Sequence, residues 1–185
     1  FACVRTGARR VAAALCLSVT LITPALGDYP ARAVTLIVPF TPGGATDLVA
    51  RILSEQMGQR LGQAVIVVNK PGAGTAIGAG ALARSPPDGY TLLFGTTSSF
   101  TINPAVRANL SYDALQFEAI GIVGSTPLVL FANPALPVTT VAELVALARQ
   151  SPRALTYASF GTGTSAHFAG EIFQRATVTE FLHVP

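Results

Sequence analysis

The 185-residue chain is poor in the side chains on which most protein chemistry relies. It has two cysteines, Cys3 and Cys16, both within its first 27 residues. Residues 28–185 therefore offer no disulfide, no thiolate metal site and no cysteine nucleophile. Histidine occurs only at His167 and His183. No H-x-x-x-H pair and no clustered carboxylate set accompanies them, so no metal site is expected. The sole lysine, Lys70, stands before Pro71 and not after a glycine, so the phosphate loop G-x-x-x-x-G-K-[ST] is absent. Charged residues make up 11% of the chain and hydrophobic residues 50%, which excludes a disordered chain and points to a core-rich globular fold.

The formal charge of +3 originates at the N-terminus. Arg5, Arg9 and Arg10 precede an uncharged apolar run from Val11 to Ile22. Ala25 and Gly27 then give the small-residue spacing that a signal peptidase reads. The run is shorter than the about 20 residues needed to cross a bilayer. Residues 1–27 are thus expected to be a cleaved secretory signal that has lost its own start, since Phe1 is not methionine. Three of the 12 Lys+Arg lie there and none of the 9 Asp+Glu, leaving nine of each and a net charge of zero. The pI of about 9.2 reflects the signal and makes no case for a nucleic-acid partner.

From Ala33 onward, strand and helix patterns alternate. Strands are expected at 34–38, 64–68, 90–94, 120–123, 128–132, 155–158 and 181–184. Helices are expected over 47–61, 75–84, about 140–150 and 166–175. The first would bury a face of Leu48, Ile52, Leu53, Met57 and Leu61. The third would open on a capping box of Thr140 and Glu143. Residues 95–99 read as a polar loop and 103–117 as less regular. The β-α-β-α-β order argues for an α/β fold with parallel sheets and helices on both faces. The chain stops on a strand, so Pro185 is expected to mark a truncation.

One feature recurs three times: a strand, a Gly-rich polar turn, then a helix. It occurs at Thr41 to Asp47, Pro71 to Thr75 and Ser159 to Ser165. The first turn of a helix has unpaired N–H groups and a positive dipole end, and glycine lets an anion approach them. Three such turns at the carboxyl ends of parallel strands could bind a compact anion. A dinucleotide fingerprint is not met, because Ile77 stands at the third glycine position after Gly72 and Gly74. A carboxylate is the simplest anion left. Asp47, in a first helical turn, could cap its helix, accept a hydrogen bond from a ligand, or do both. An enzyme is not expected. Ser159 or Ser165 with His167 could imitate a Ser–His pair, but no G-x-S-x-G elbow is present. His183 reads as a hydrogen-bonded residue of an apolar strand.

Together the motifs resemble a known family. Pro39-Phe40-Thr41-Pro42-Gly43-Gly44-Ala45-Thr46-Asp47 is similar to the P-F-x-x-G-G-x-x-D signature of Bug-type receptors, the extracytoplasmic binding components of tripartite tricarboxylate transporters. Asn69 to Gly74, Asp88 to Leu93, Tyr157 to Thr164 with His167 and Ala169-Gly170-Glu171, and His183-Val184-Pro185 resemble further segments in order. Two departures stand out: Thr75 occupies a position where glycine is usual, and residues 176–180 lack the usual glycine. The resemblance implies an α/β periplasmic-binding-protein-like (type II) fold with two lobes, incomplete here. Residues 28–126 would form the first lobe and 127–185 the start of the second. It implies a monomeric periplasmic receptor that captures a di- or tricarboxylate, acidic amino acid or aromatic acid for membrane permease subunits, with no cofactor. The alternatives are a ligand sensor for a signalling partner and, less favoured, a Ser–His hydrolase. Carried over residue by residue, the ligand positions would be Thr41, Pro42, Gly43, Gly44 and Asp47 in the first loop. Gly74 and Thr75 would follow in the second, Thr97 and Ser98 after the third strand, and Ser159, Gly163 and Thr164 in the second lobe.

Overall fold

Val34–Val38, strand β1, can be buried on both faces because it carries no charge and is largely β-branched or aliphatic. Val34, Leu36, Ile37 and Val38 are all 3% exposed or less. A computed structural model describes residues 29–185; the expected signal at 1–27 lies outside the described residues. Residues 32–185 cluster as one unit. Within it, β1 pairs in parallel with β2 (Val65–Asn69) and β3 (Thr91–Leu93), giving the order β2-β1-β3. Val34 stands opposite Val65 and Thr35 opposite Thr91. The chain leaves β1 for one neighbour and then returns past it to the other. Such a reversal opens a crevice at the carboxyl ends of the strands.

Helix α1 (Ala45–Leu61) covers the face carrying Leu36 and Val38, with Ala50 in contact with both and Phe40, Val65, Val67, Leu92 and Phe94 around them. The face expected to be buried is used only in part, with Leu53, Met57 and Leu61 half-buried. Leu48 and Ile52 are exposed, whereas Asp47, Ala50 and Ser54 are buried. Small side chains let the helix lie close to the sheet, and close packing outweighs the apolar periodicity. α2 (Ala76–Ala83) packs against β1 and β3. Its glycines permit this: a Cβ on Gly78 would stand 2.7 Å from Cβ of Pro39 and 3.1 Å from the Lys70 carbonyl oxygen. Ala76 and Ala79 join Tyr112, Leu93, Leu110 and Phe117 in a second apolar cluster.

Two expectations fail between β3 and the second sheet. Only the start of the expected polar loop is irregular; its end enters a π-helical turn, Ser98–Ile102, running into α3 (Asn103–Val106). Ser98, Ser99 and Asn103 are buried there because their polar atoms bond to neighbouring loops and chain. Residues 120–123 and 128–132 form no strand. Ile122 is 94% exposed and Phe131 86%, and no partner strand lies beside either segment among the described residues. β-propensity alone does not make a strand when no ladder satisfies its backbone.

The second sheet pairs β4 (Thr156–Ala158) in parallel with β5 (Leu182–Val184), and Tyr157 stands opposite His183. Before it, α4 (Val141–Gln150) opens on the expected capping box and buries Leu144 and Ala148. α5 (Ser165–Thr177) connects β4 to β5. Gly170 lets the Tyr157 ring lie against α5, where a Cβ would stand 2.4 Å from ring carbon Cε2.

Candidate functional site

The first loop, Thr41 to Gly44, stands exposed beyond the carboxyl end of β1. It is held from beneath by Asp47, which is 2% exposed. One carboxylate oxygen, Oδ2, accepts from the Gly43 amide at 2.9 Å and from Arg51 Nε at 2.9 Å. The other, Oδ1, accepts from Asn69 Nδ2 at 2.8 Å, and the same amide group reaches the Phe40 carbonyl at 3.0 Å. The Arg51 guanidinium, followed by the Gly43 and Asn69 donors, holds the Asp47 carboxyl far below the usual carboxylate range. Asp47 in turn raises Arg51. The carboxylate thus faces inward as a latch that shapes the loop. α1 itself begins behind Gly44 with no side chain capping it.

The second loop is strained. Gly72, Ala73, Gly74 and Thr75 have successive φ values of 120°, 49°, 60° and 81°. A β-branched residue at positive φ is an outlier, costing on the order of 1–3 kcal/mol. Thr75 is kept there by burial and by Ser99 Oγ, which donates to Thr75 Oγ1 at 2.9 Å. Asn103, wholly buried, donates from Nδ2 to the Gly74 carbonyl at 2.7 Å. Tyr112 completes the support, its hydroxyl donating to the Ser99 carbonyl at 2.6 Å. Thr75 therefore turns its side chain into the interior.

The second loop also meets the loop that follows β4. A Cβ on Gly74 would stand 2.9 Å from the Thr162 carbonyl oxygen and 3.1 Å from the Gly163 carbonyl oxygen, so the contact is backbone on backbone. The Ser165 amide donates to Ser98 Oγ at 3.1 Å. A Cβ on Gly163 would stand 3.1 Å from the Arg107 guanidinium. Arg107 is anchored by donation from Nε to Asn103 Oδ1 at 2.9 Å. It also lines an open groove of about 450 Å³ with Gly163, His167, Glu171 and Arg175.

The third loop is internally bonded. Thr164 Oγ1 donates to the Gly161 carbonyl at 2.7 Å and accepts from the His167 amide at 3.5 Å. Ser159 Oγ lies 2.8 Å from His183 Nε2 and accepts from the Gly161 amide at 3.1 Å. The serine–histidine contact is therefore with His183, and the Ser159–His167 pairing that the sequence disfavoured does not form. Two rings pack against His183: His167 at 4.3 Å and Tyr157 at 4.8 Å between centroids. Glu171 approaches His167, with 3.8 Å between Oε1 and Nε2, and accepts from the Tyr157 hydroxyl at 2.9 Å. Burial, then the neighbouring His167, pushes the His183 imidazole below its ordinary value. Burial and Glu171 raise the Tyr157 hydroxyl to about 12.

Gly74 thus meets Thr162 and Gly163, and Ser98 meets Ser165, while Thr75 and Thr164 bond within their own sides. Thr41 to Gly44 stands at the carboxyl edge of the same sheet as the second loop, with Asp47 beneath, and Thr97 is exposed where the π-helical turn begins. Of the three helix N-termini, the one behind Gly44 is exposed and lacks a side-chain cap, whereas the one behind Thr164 is capped by Thr164 and Ser98. Asn69, which opens a segment resembling the family's second loop, belongs to the site's support; Asn103 and Arg107 belong to it too and are not marked as such by the sequence. The Asn103-Pro104 dipeptide, a turn signal, is the only local hint.

Residues 49–185 match the family model described as the tripartite tricarboxylate transporter family receptor. The chain is 38% identical over 159 residues to Protein BugT of Bordetella pertussis, covering 85% of this chain and 49% of that protein. Among solved structures, an R. palustris protein with adipate superposes at a TM-score of 0.72 with 36% identity, over 85% of this chain and 53% of that one. MatC of Rhodopseudomonas palustris with bound malate superposes at 0.79 with 29% identity, over 85% and 54%. The chain spans about half the length of the curated relatives it matches.

Proposed function

The chain belongs to the tripartite tricarboxylate transporter receptor family, and from that membership we propose that the protein is a periplasmic receptor that captures a small carboxylate for membrane permease subunits. Residues 28–126 would belong to its first lobe and 127–185 to its second, with closure of the lobes around the ligand as the binding step. One observation carries the reading. At the carboxyl edge of a parallel sheet, the exposed loop Thr41 to Gly44 leads into a helix that no side chain caps. With the Gly43 amide taken by Asp47, the donors of the helix's first turn and its positive dipole end favour a carboxylate without any cationic side chain.

In this reading Thr41, Pro42, Gly43 and Gly44 touch the carboxylate directly, and Asp47 acts through them as the positioning residue. Gly74, Thr75, Thr97 and Ser98 shape the wall of the first lobe, and Ser159, Gly163 and Thr164 close from the second. Binding and release require no bond to be made or broken, and no catalytic group is invoked. Adipate and malate, found with the two superposed structures, are the first probes. The full-length protein is expected to melt at a higher temperature with at least one of a panel of di- and tricarboxylates, as ligands specific to the native state require. Replacing Gly43 and Gly44 together by valine should abolish that shift. A panel without any shift, or a shift unchanged in the double variant, would overturn the reading.

A further inference from the structure

The paired imidazoles beneath the third loop have no part in that binding scheme. His167 connects directly to the loop backbone, and His183 connects through the Ser159 hydroxyl. His183 Nε2 meets Ser159 Oγ at 2.8 Å, and that hydroxyl also accepts from the Gly161 amide. His167 Nδ1 lies 3.5 Å from the Gly163 amide, which points its N–H at the ring. An Nδ1 that accepts must be unprotonated, so the hydrogen of neutral His167 sits on Nε2, toward Glu171. The loop geometry therefore depends on the charge state of His167. We propose that the stacked His167–His183 pair is a proton site that couples carboxylate binding to pH, by releasing the Gly163 amide when His167 is charged. This inference rests on the receptor reading above.

The charges around the pair set how many protons it holds. Glu171 faces His167 from the same helix at 3.8 Å, and the Tyr157 ring packs on His183 from β4 at 4.8 Å between centroids. Arg107 from the segment after α3 and Arg175 from α5 line the same groove as His167 and oppose added positive charge. Ser159 shields His183 on its other side. Two imidazolium rings 4.3 Å apart would repel strongly, so the stack takes one proton. A proton on His167 would face the Glu171 carboxylate across 3.8 Å. Nδ1 then becomes a donor, the Gly163 N–H loses its acceptor, and a positive charge appears beside the loop. Both changes favour an anion at Gly163 and Thr164. Because Gly163 lies against Gly74, the change also reaches the second loop.

By linkage, a carboxylate that prefers the charged state must draw in a proton as it binds. Calorimetry of the full-length protein with adipate and malate, from about pH 8 down to about pH 6 across the ordinary imidazole range, measures this. We expect roughly five- to tenfold tighter binding at the lower pH, in the usual range of site coupling. The apparent enthalpy should vary with the buffer's ionisation enthalpy, reporting proton uptake. His167→Gln retains an acceptor for Gly163 but cannot titrate, so its affinity should be flat with pH. A companion measurement needs no carboxylate: in 15N-labelled protein, the two imidazoles should titrate as a coupled pair and the Gly163 amide resonance should move with them. Absence of binding by wild type with this coupled titration intact would overturn the receptor reading alone. Binding with no pH dependence, a His167→Gln profile that still follows pH, or independent imidazole titrations with a stationary Gly163 amide would each overturn the proton site.

Discussion

The loop after β1 and the loop after β4 follow the same plan, strand to Gly-rich turn to helix, but are held in place by different chemistry. Beneath the first, Asp47 accepts from Gly43, Arg51 and Asn69, and every bond in that latch is fixed throughout the mild pH range. Beneath the second, Ser159 Oγ meets His183, His183 packs on the His167 ring, and His167 approaches Glu171. The sheets differ in the same direction. β1 is almost wholly buried, whereas Thr156, Ala158, Leu182 and Val184 are exposed. A charged pair held by several hydrogen bonds makes a loop rigid. A neutral imidazole network makes one responsive, because its donors and acceptors exchange roles when a proton is added.

The latch is where the difference between the loops can be abolished most severely. Asp47→Ala removes an acceptor from three donors at once and leaves Arg51 with only the neutral Asn69 Oδ1, at 3.2 Å, as a partner. It should lower thermal stability more than either glycine substitution described next, with the Gly43 amide losing protection from hydrogen exchange. Protection retained at Gly43 would show that the latch does not hold the loop. A second, smaller loss is expected from Gly78→Ala, about 1–3 kcal/mol in denaturant melts. Its Cβ meets the Pro39 ring and the Lys70 backbone, which cannot rotate away. Gly170→Ala presses only on the Tyr157 side chain and should cost less, so equal costs would show that the two sheets tolerate crowding alike.

Acid titration separates the two loops by the smallest effect. Asp47 has a depressed pKa, so its contribution is complete above the unfolded value near 3.8 and is lost only as pH falls below that. His183 is also depressed, so the slope has the same sign but falls in a higher pH window: its folded form resists the proton that the unfolded chain accepts. Stability is therefore complete above about 6.5 and declines as pH falls from there toward the folded value. Between about pH 8 and about pH 5 the wild type should lose a little stability, and His183→Asn should lose less. Identical slopes would show that His183 contributes nothing to the pH response.

Much of the architecture is legible in the chain because it depends on near neighbours. The β-branched run at Val34–Val38, Gly62 ending α1 and the Thr140–Glu143 box all announce their elements locally. The Gly-rich turns likewise appear where the sequence puts them, at the carboxyl ends of parallel strands. Leu48 and Ile52 mislead because helical periodicity identifies an apolar face but not which face a sheet covers, and here Ala50 and Ser54 permit the closer approach. Residues 120–132 mislead for a related reason: a strand exists only where another strand completes its hydrogen bonds.

Composition and short-range spacing suffice for the α/β order, the parallel sheets, the three Gly-rich turns before helices, and the scarcity of metal-binding and nucleophilic side chains. Long-range packing settles the rest. It turns Asp47 inward, sets Asn103 and Arg107 beneath loops 29 and 56 residues away from them, and brings Ser159 to His183 and not to His167. Such pairings join residues far apart in the chain. They are set by strand register and by the close approach of backbone that glycine allows, which no local pattern records.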